Sequence, residues 1–189
     1  TAGAINVTSR RPTFTPESGI ELNYGSYEFF QAKASVSGPL SKSIAARASF
    51  SGTGRGGFIE NVSTGRETNT LNNLGFRGQV LATPSKTLVF NIAVDHSRQR
   101  PQGYAQVVAG VAPTLRPANR QWAQIAADLG YAPPSYNAFD RLTDTDGRWQ
   151  SNQDLGGASA TIDWTLGRGR VTSATAWRYW NWNPSNDRD

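Results

Sequence analysis

Apolar and polar residues alternate along several segments of the chain, and a period of two predicts β-strands. The cleanest alternation occurs in residues 43–51, 73–83, 87–96 and 157–166. In each segment the large apolar side chains lie on one face, and small, polar or charged side chains lie on the other. Residues 20–38 and 170–182 predict two longer strands, and Gly25 indicates a bulge or bend inside the first.

The connections between these predicted strands differ strongly in length. Tight turns rich in Gly, Pro and Ser occupy residues 38–43, 83–86 and 166–169, whereas the connections at residues 52–69 and 98–150 are long. Strands of about ten residues, short turns at one end and long loops at the other are typical of transmembrane β-barrels. We therefore predict an all-β fold, an antiparallel segment of a transmembrane β-barrel.

The two faces of the predicted strands indicate two environments. In a membrane barrel the apolar face contacts lipid, and the polar face lines the interior. About eight strands already give an interior only just filled by side chains, so about six strands cannot close a barrel that holds anything. We therefore expect the chain to be incomplete. The charged side chains that we expect to face the lumen are Arg47, Arg77, Asp95, Asp163 and Arg178.

Composition narrows the possible partners. The net charge of +5 comes mostly from arginines that are spread along the chain. Proteins that bind nucleic acid concentrate such residues on one face or in one stretch, so we expect no nucleic-acid partner. The absence of cysteine excludes disulfides and thiolate metal sites. No run approaches the roughly 20 apolar residues of a transmembrane helix.

Four segments of the chain resemble the TonB-dependent outer-membrane receptors. GAINVTSRRPT (residues 3–13) resembles the last plug-domain strand with its link to the barrel. YGSYEFFQAKASVSGPLSKSIAARASFS (residues 24–51) is similar to the first barrel hairpin, and GGFIENVSTGRETN (residues 56–69) resembles the loop that follows. LGGASATIDWTLGRGRVTSATAWRYWNW (residues 155–182) resembles a later hairpin, whose pattern is carried by Val171, Ser173, Thr175, Trp177 and Arg178.

This resemblance implies a division of the chain. Residues 1–12 would be the end of a plug domain and its linker, with Gly3 to Val7 pairing with other plug strands. Residues 13–189 would be the N-terminal part of a large plugged barrel, about six strands with an extracellular loop near residues 98–150. A TonB box, the main plug body and a C-terminal barrel strand are not in the sequence. We expect them in the rest of the same receptor.

The resemblance also implies a function. A member of this family takes up a scarce nutrient at the bacterial outer membrane without covalent chemistry, so we expect neither an enzyme nor a cofactor. A ferric siderophore is the first expectation, with cobalamin or a carbohydrate as alternatives. The implied partners are outer-membrane lipid, the nutrient, and the TonB complex acting through the missing N-terminal part. The alternative belongs to a different class of protein: a soluble or surface-anchored β-sandwich for adhesion or carbohydrate binding. Such a sandwich would also have strands of alternating polarity.

The long loop holds the candidate substrate contacts. Apolar residues recur at helical spacing in residues 118–130, and Gly130 is a natural helix end. Such a helix either contacts substrate or, as apolar spacing more often indicates, packs on its neighbours and closes the barrel mouth. The candidate substrate-binding residues are Trp122, Tyr131, Tyr136, Phe139 and Arg98. Lumenal arginines would attract an anionic substrate or, as we favour, pair with plug carboxylates, because a buried charge must be paired.

No metal site or phosphate loop is expected. His96 is the single histidine, and one ligand does not make a metal centre. The acidic residues between Asp140 and Asp146 are fewer than a calcium loop of the EF-hand type requires, and they predict a solvated turn. GTGRGG (residues 52–57) lacks the Lys-Ser/Thr of a phosphate loop and predicts a flexible loop.

Overall fold

The structure is a computed structural model that describes residue 3 and residues 8–147 and 149–185. The predicted all-β class is confirmed, with 57% strand and 8% helix. The strands are β1 (Glu17–Gly25), β2 (Phe29–Pro39), β3 (Ile44–Arg55), β4 (Ile59–Asn61), β5 (Arg66–Thr68), β6 (Leu71–Ser85), β7 (Leu88–Gln99), β8 (Leu142–Thr143), β9 (Gln150–Leu166) and β10 (Gly169–Ser185). The helical elements are α1 (Trp122–Leu129) and the 3₁₀ turns Ala118–Arg120 and Ala138–Asp140.

Seven strands form one antiparallel sheet in the order β1-β2-β3-β6-β7-β9-β10. Each strand pairs with the strand that follows it in this order. Within the described residues β1 and β10 do not pair with each other, so the sheet is open at both edges. The long connections contribute a separate small sheet in the order β5-β4-β8, in which β4 and β8 are parallel.

The first predicted long strand, residues 20–38, is instead a hairpin, and Gly25, predicted to mark a bulge or bend inside one strand, is the last residue of β1. β1 ends there, and a tight turn leads into β2. Within the turn Tyr27 has a φ of 60° and Glu28 a φ of 55°. Positive φ at both central residues is what a type I′ hairpin turn requires, and Asn-Gly is its usual signal. Tyr-Glu lacks that signal, and the sequence pattern therefore does not show where the first strand ends.

The other five predicted strands are confirmed as β3, β6, β7, β9 and β10, although β9 begins at Gln150 rather than near Gly157. The three predicted tight turns join β2 to β3, β6 to β7, and β9 to β10, all at one end of the sheet. The opposite end carries the β1–β2 turn and the connections 56–70 and 100–149. The predicted asymmetry of loop length is therefore present, with the β1–β2 turn as the exception.

The polarity of the main sheet is the reverse of that in a soluble protein. Large side chains on the apolar face are exposed to solvent: Ile20 is 79% exposed, Phe76 is 51% exposed and Ile92 is 53% exposed. The opposite, polar face holds most of the buried positions, including the arginine Arg47 at 7% exposure. These buried positions are Ser37, Ala45, Arg47, Gln79, Leu81, Ala93, Ser151 and Asp163.

An extended N-terminal segment, residues 8–16, contributes to covering the polar face. The backbone N–H of Thr13 donates to Ser37 Oγ at 2.9 Å, and Gln79 Nε2 donates to the Arg10 carbonyl at 2.9 Å. This segment includes most of the predicted linker from plug to barrel. Residues 4–7 of the predicted plug strand lie outside the described residues, so that prediction stays untested.

Two adjacent glycines in β9 let long side chains of β10 cross over the strand. A Cβ on Gly157 would lie 2.2 Å from the Trp177 carbonyl oxygen and 2.9 Å from Arg178 Cδ. On the other face, a Cβ on Gly156 would lie 2.7 Å from Tyr179 Cε1. Because neither glycine has a side chain, Arg178 and Tyr179 can reach partners on β7.

We expect Gly157→Ala to lower the free energy of unfolding by about 1–3 kcal/mol, because the new methyl group overpacks against a backbone oxygen. Gly54→Ala in β3 is the matched control, since no atom lies within 4 Å of a Cβ placed there. The measurement is the midpoint of thermal unfolding, followed by circular dichroism in one detergent. Equal midpoints for the two variants would contradict the assigned packing.

Candidate functional site

The polar face of the main sheet is organised around the carboxylate of Asp95 on β7. Arg77 Nη1 on β6 lies 2.9 Å from its Oδ1. Arg178 Nη1 on β10 lies 2.8 Å from Oδ1 and 2.6 Å from Oδ2, and it reaches over Gly157 to do so. The Asp95 carboxylate thus joins β6, β7 and β10, although β10 is not a neighbour of β7 in the sheet.

Two more charge clusters lie on the same face, nearer the short turns. Arg47 Nη2 is 2.7 Å from Glu17 Oε2 across two strand pairs. Asp163 accepts a hydrogen bond from Thr172 Oγ1 at 2.7 Å and pairs with Arg170 at 2.8 Å. The Arg11 guanidinium also lies 3.8 Å from Asp163. The positive and negative side chains of this face are therefore paired mostly with each other.

All five charged residues predicted to face one interior do share the polar face: Arg47, Arg77, Asp95, Asp163 and Arg178. Arg98 does not, because its pairing with Leu74 places it on the apolar face near the loop end. The arginines also have partners that neither sequence-based expectation named. Arg47, Arg77 and Arg178 each pair with a carboxylate of the sheet itself.

Two buried polar atoms on this face have no hydrogen-bond partner among the described residues. They are Nε of Arg77 and Oδ1 of Asn91. Buried polar groups in native proteins are almost always bonded to protein or to ordered water. These atoms therefore mark positions where water or further protein contacts the face.

The long loop brings together three of the five candidate substrate-binding residues. The predicted helix is confirmed as α1, and Gly130 ends it in the left-handed conformation with a φ of 64°. Its first residue, Trp122, makes edge-on ring contacts with Tyr131 at 6.4 Å and Tyr136 at 5.9 Å. Such contacts favour the packing interpretation of the helix. Phe139 is 88% exposed and forms no ring contact within the described residues.

Tyr131 connects this aromatic cluster to the acidic segment. Its hydroxyl donates to Asp144 Oδ1 at 3.3 Å. Burial is the larger cause that raises the pKa of Tyr131 above its ordinary value, and the hydrogen bond and charge of Asp144 add to it. The hydroxyl therefore stays protonated, and a donor, throughout the physiological pH range.

The two long connections fold onto each other, which the sequence did not reveal. Asn61 in β4 is 4% exposed, and its Nδ2 donates to the Thr145 carbonyl at 2.6 Å. Ser63 Oγ donates to the Asp144 carbonyl at 2.7 Å. We call β4, β5, β8 and their connecting residues the loop layer. The loop layer is ordered by hydrogen bonds that span more than 80 residues of sequence.

The loop layer is also attached to the β1–β2 turn. The N–H of Gly56 donates to the Tyr27 carbonyl at 2.8 Å. The Tyr27 ring lies 6.1 Å from the Phe58 ring, and the Arg141 guanidinium stands over it at 5.7 Å while donating to its hydroxyl. These contacts help hold Tyr27 at a positive φ that is uncommon for a residue other than Gly, Asn or Asp.

Residues 52–57 are not the flexible loop that their glycine content predicts. Gly52, Gly54 and Arg55 continue β3, and the N–H of Gly56 bonds to the β1–β2 turn. A Cβ on Gly57 would lie 2.5 Å from the Thr68 carbonyl oxygen, so close packing of backbones requires glycine there. The glycines therefore serve strand pairing and close approach.

The remaining chemistry-bearing residues have structural partners. His96 Nδ1 lies 2.6 Å from the Tyr179 hydroxyl on the apolar face. Asp140 accepts hydrogen bonds from Ser135 and Asn137 and closes a 3₁₀ turn. Among the described residues no three His, Cys, Asp or Glu side chains are grouped so as to hold a metal ion.

The aromatic residues at the end of β10 divide between the two faces. Trp177 and Tyr179 lie on the apolar face, with ring centroids 5.5 Å apart, where they extend the exposed aromatic and aliphatic surface. Trp180 and Trp182 lie on the polar face, beside Leu155 and Gln153 of β9.

Comparisons with known proteins find no match: no protein-family model, no curated protein and no solved structure is significantly similar to the chain. Within the part of the chain that the structure describes, none of the helices has the length and apolar character needed to cross a membrane.

We expect Asn61→Ala to open the loop layer, because it removes a buried side chain that donates to Thr145 and accepts from the backbone N–H groups of Ser63 and Thr64. An unsatisfied buried partner costs about 1–3 kcal/mol. Backbone hydrogen exchange of residues 141–145 should therefore be faster in Asn61→Ala than in the parent protein. The control is Asn181→Ala, which replaces an exposed asparagine and should leave this exchange rate unchanged. Unchanged exchange in Asn61→Ala would show that this residue does not order the loop layer.

Proposed function

We propose that the main sheet forms part of the wall of a transmembrane β-barrel in the bacterial outer membrane. The barrel would belong to a TonB-dependent transporter that takes up a scarce nutrient. The observation that carries this proposal is the reversed polarity of the sheet, whose apolar face is open and whose polar face is charged, paired and partly covered. The resemblance of the four sequence segments supplies the family.

Lipid accounts for the exposed apolar face. Contiguous apolar patches on soluble monomers rarely exceed a few hundred square ångströms. Here apolar positions such as Leu22, Phe76 and Ile162 continue across all seven strands of the sheet. Strands of 9 to 17 residues meet the roughly 9–11 residues that a tilted strand needs to span a bilayer. Their backbone groups are satisfied by neighbouring strands, as hydrocarbon requires.

A watery interior accounts for the polar face. Charges there are paired between strands, and the segment 8–16 runs across them as a linker from an interior plug would. The rest of the same receptor would supply strands to the open edges at β1 and β10. It would also carry the plug through which the TonB complex acts. From the resemblance a ferric siderophore stands first among nutrients, before cobalamin or a carbohydrate.

A soluble or surface-anchored β-sandwich would need a second sheet packed on the apolar face. The other sheet of the described residues, β5-β4-β8, is short and is built from the connections at the loop end. The open apolar face therefore favours the membrane wall over the sandwich.

Spin-label accessibility tests the membrane wall directly. The chain has no cysteine, so single substitutions along β7 can each carry one nitroxide. We expect Phe90→Cys, Ile92→Cys and Val94→Cys to be accessible to oxygen, which is concentrated in lipid. Val89→Cys, Asn91→Cys and Ala93→Cys, on the polar face, should instead resist oxygen. A water-soluble nickel complex provides the opposite measurement, with Thr114→Cys in an exposed loop as the reference. If the nickel complex collided with the label at Ile92 as often as with the label at Thr114, Ile92 would not face lipid.

Cell fractionation tests the location and the larger receptor. An antibody against residues 98–150 should detect a band in the outer-membrane fraction, several times larger than the 20.5 kDa of this chain. A band near 20.5 kDa in a soluble fraction would refute the transporter and support the sandwich.

A further inference from the structure

Trp180 and Trp182 lie on the polar face near the loop end, where their indole rings are stacked and each ring is partly exposed. Their ring centroids are 5.6 Å apart, and the ring planes differ by 9°. Trp180 is 62% exposed, and Trp182 is 49% exposed. We call this pair the indole platform.

The indole platform is fixed by hydrogen bonds at its edges. Trp180 Nε1 donates to Gln153 Oε1 at 3.3 Å, and Trp182 Nε1 donates to Ser151 Oγ at 3.0 Å. Arg100 Nη1 in turn donates to the Gln153 carbonyl at 2.8 Å. The indole N–H groups are therefore occupied, while parts of the ring faces remain open. A surface whose rotamers are already fixed loses little entropy when a ligand stacks on it.

Lipid does not explain the indole platform. The interfacial aromatics of a membrane barrel point outward, and on β10 that position is held by Trp177 and Tyr179. Trp180 and Trp182 point to the opposite side, where large apolar rings lie exposed among polar groups. Exposed rings of this kind are enriched at binding sites, because they combine a large apolar area with few rotatable bonds.

The groups around the platform are mainly neutral. The register places Gln153 between Trp182 on β10 and Gln99 on β7, and Leu155 between Trp180 and Ser97. Two cations lie near the platform, and both are paired. Arg100, which bonds the Gln153 carbonyl, forms an ion pair with Asp154. Both oxygens of Asp95 hold Arg178 on β10. The site thus offers ring faces, amides and hydroxyls rather than a free positive charge.

We propose that Trp180 and Trp182 bind the ring of a neutral saccharide on its way through the polar interior. A pyranose presents a face of C–H groups, which matches an indole, and a rim of hydroxyls, which amides and serines can bond. A ferric siderophore or another anion would instead need unpaired arginine or lysine. This inference rests on the proposed function, because it takes the polar face as the interior of a transporter. Within that function it places a carbohydrate before a siderophore.

The test uses the protein purified in detergent from the membrane of its host. It is applied to an array of neutral oligosaccharides that includes maltohexaose, xylohexaose, cellohexaose and laminarihexaose. We expect at least one to bind and to quench tryptophan fluorescence. Trp180→Ala and Trp182→Ala should each weaken that binding about tenfold or more. Trp177→Ala, which removes the same ring from the other face of β10, should leave the affinity unchanged.

A separate control checks that each variant folds as the parent does. Each variant must keep the far-UV circular dichroism and thermal midpoint of the parent, and Trp180→Phe, which keeps an aromatic face, should retain most of the binding. Binding to no array member overturns the proposal. So does binding that survives both alanine substitutions, or binding of 2,3-dihydroxybenzoate instead of any saccharide. A failed fractionation experiment with saccharide binding intact would refute the transporter but not the indole platform.

Discussion

The apolar face of a wide antiparallel sheet must be covered by other apolar groups. In this protein no described residue covers that face across most of the seven strands. The hydrophobic effect makes such a surface unfavourable in water, by roughly 25 cal/mol for each square ångström left exposed. Every other feature of the sheet is compatible with an apolar solvent on that side. The strands are long, their backbone groups are paired, and the charges are gathered on the opposite face. The proposed membrane wall follows from this one constraint.

Once the apolar face is assigned to lipid, the charges of the other face take on a structural role. Asp95 holds guanidinium groups from β6 and β10, so that strands that are not adjacent are tied together on the inner side. The contact depends on Gly157, which leaves the path over β9 open to Arg178. Acids and bases that satisfy each other within the sheet leave little unpaired charge to attract an ionic ligand. In the proposed transporter, these paired charges would therefore affect the choice of nutrient as well as the stability of the sheet.

Local periodicity was sufficient to find five strands of the main sheet and helix α1. It also identified the face shared by Arg47, Arg77, Asp95, Asp163 and Arg178. It failed where the determining contacts are distant. The β1–β2 turn has Tyr27 and Glu28 at positive φ, held partly by contacts with Phe58 and Arg141 that no local pattern can indicate. β4, β5 and β8 are too short for periodicity, and their pairing depends on residues such as Asn61 and Thr145. Strand parity alone, by contrast, could have separated Tyr179 from Trp180, since consecutive strand residues point to opposite faces.

The division of the β10 aromatics connects the wall to its proposed use. Aromatic rings on the apolar face and on the polar face of a strand are of the same residue types, and a shift of one residue along the strand exchanges the two faces. On β10 both kinds of ring occur in succession, with Tyr179 bonded to His96 on the apolar face and Trp180 bonded to Gln153 on the polar face. The same strand can therefore anchor the wall at the membrane boundary and present a stacking surface to the interior. The loop layer stands at this end of the sheet, so a ligand entering from the loop side would meet the indole platform before the charge cluster around Asp95.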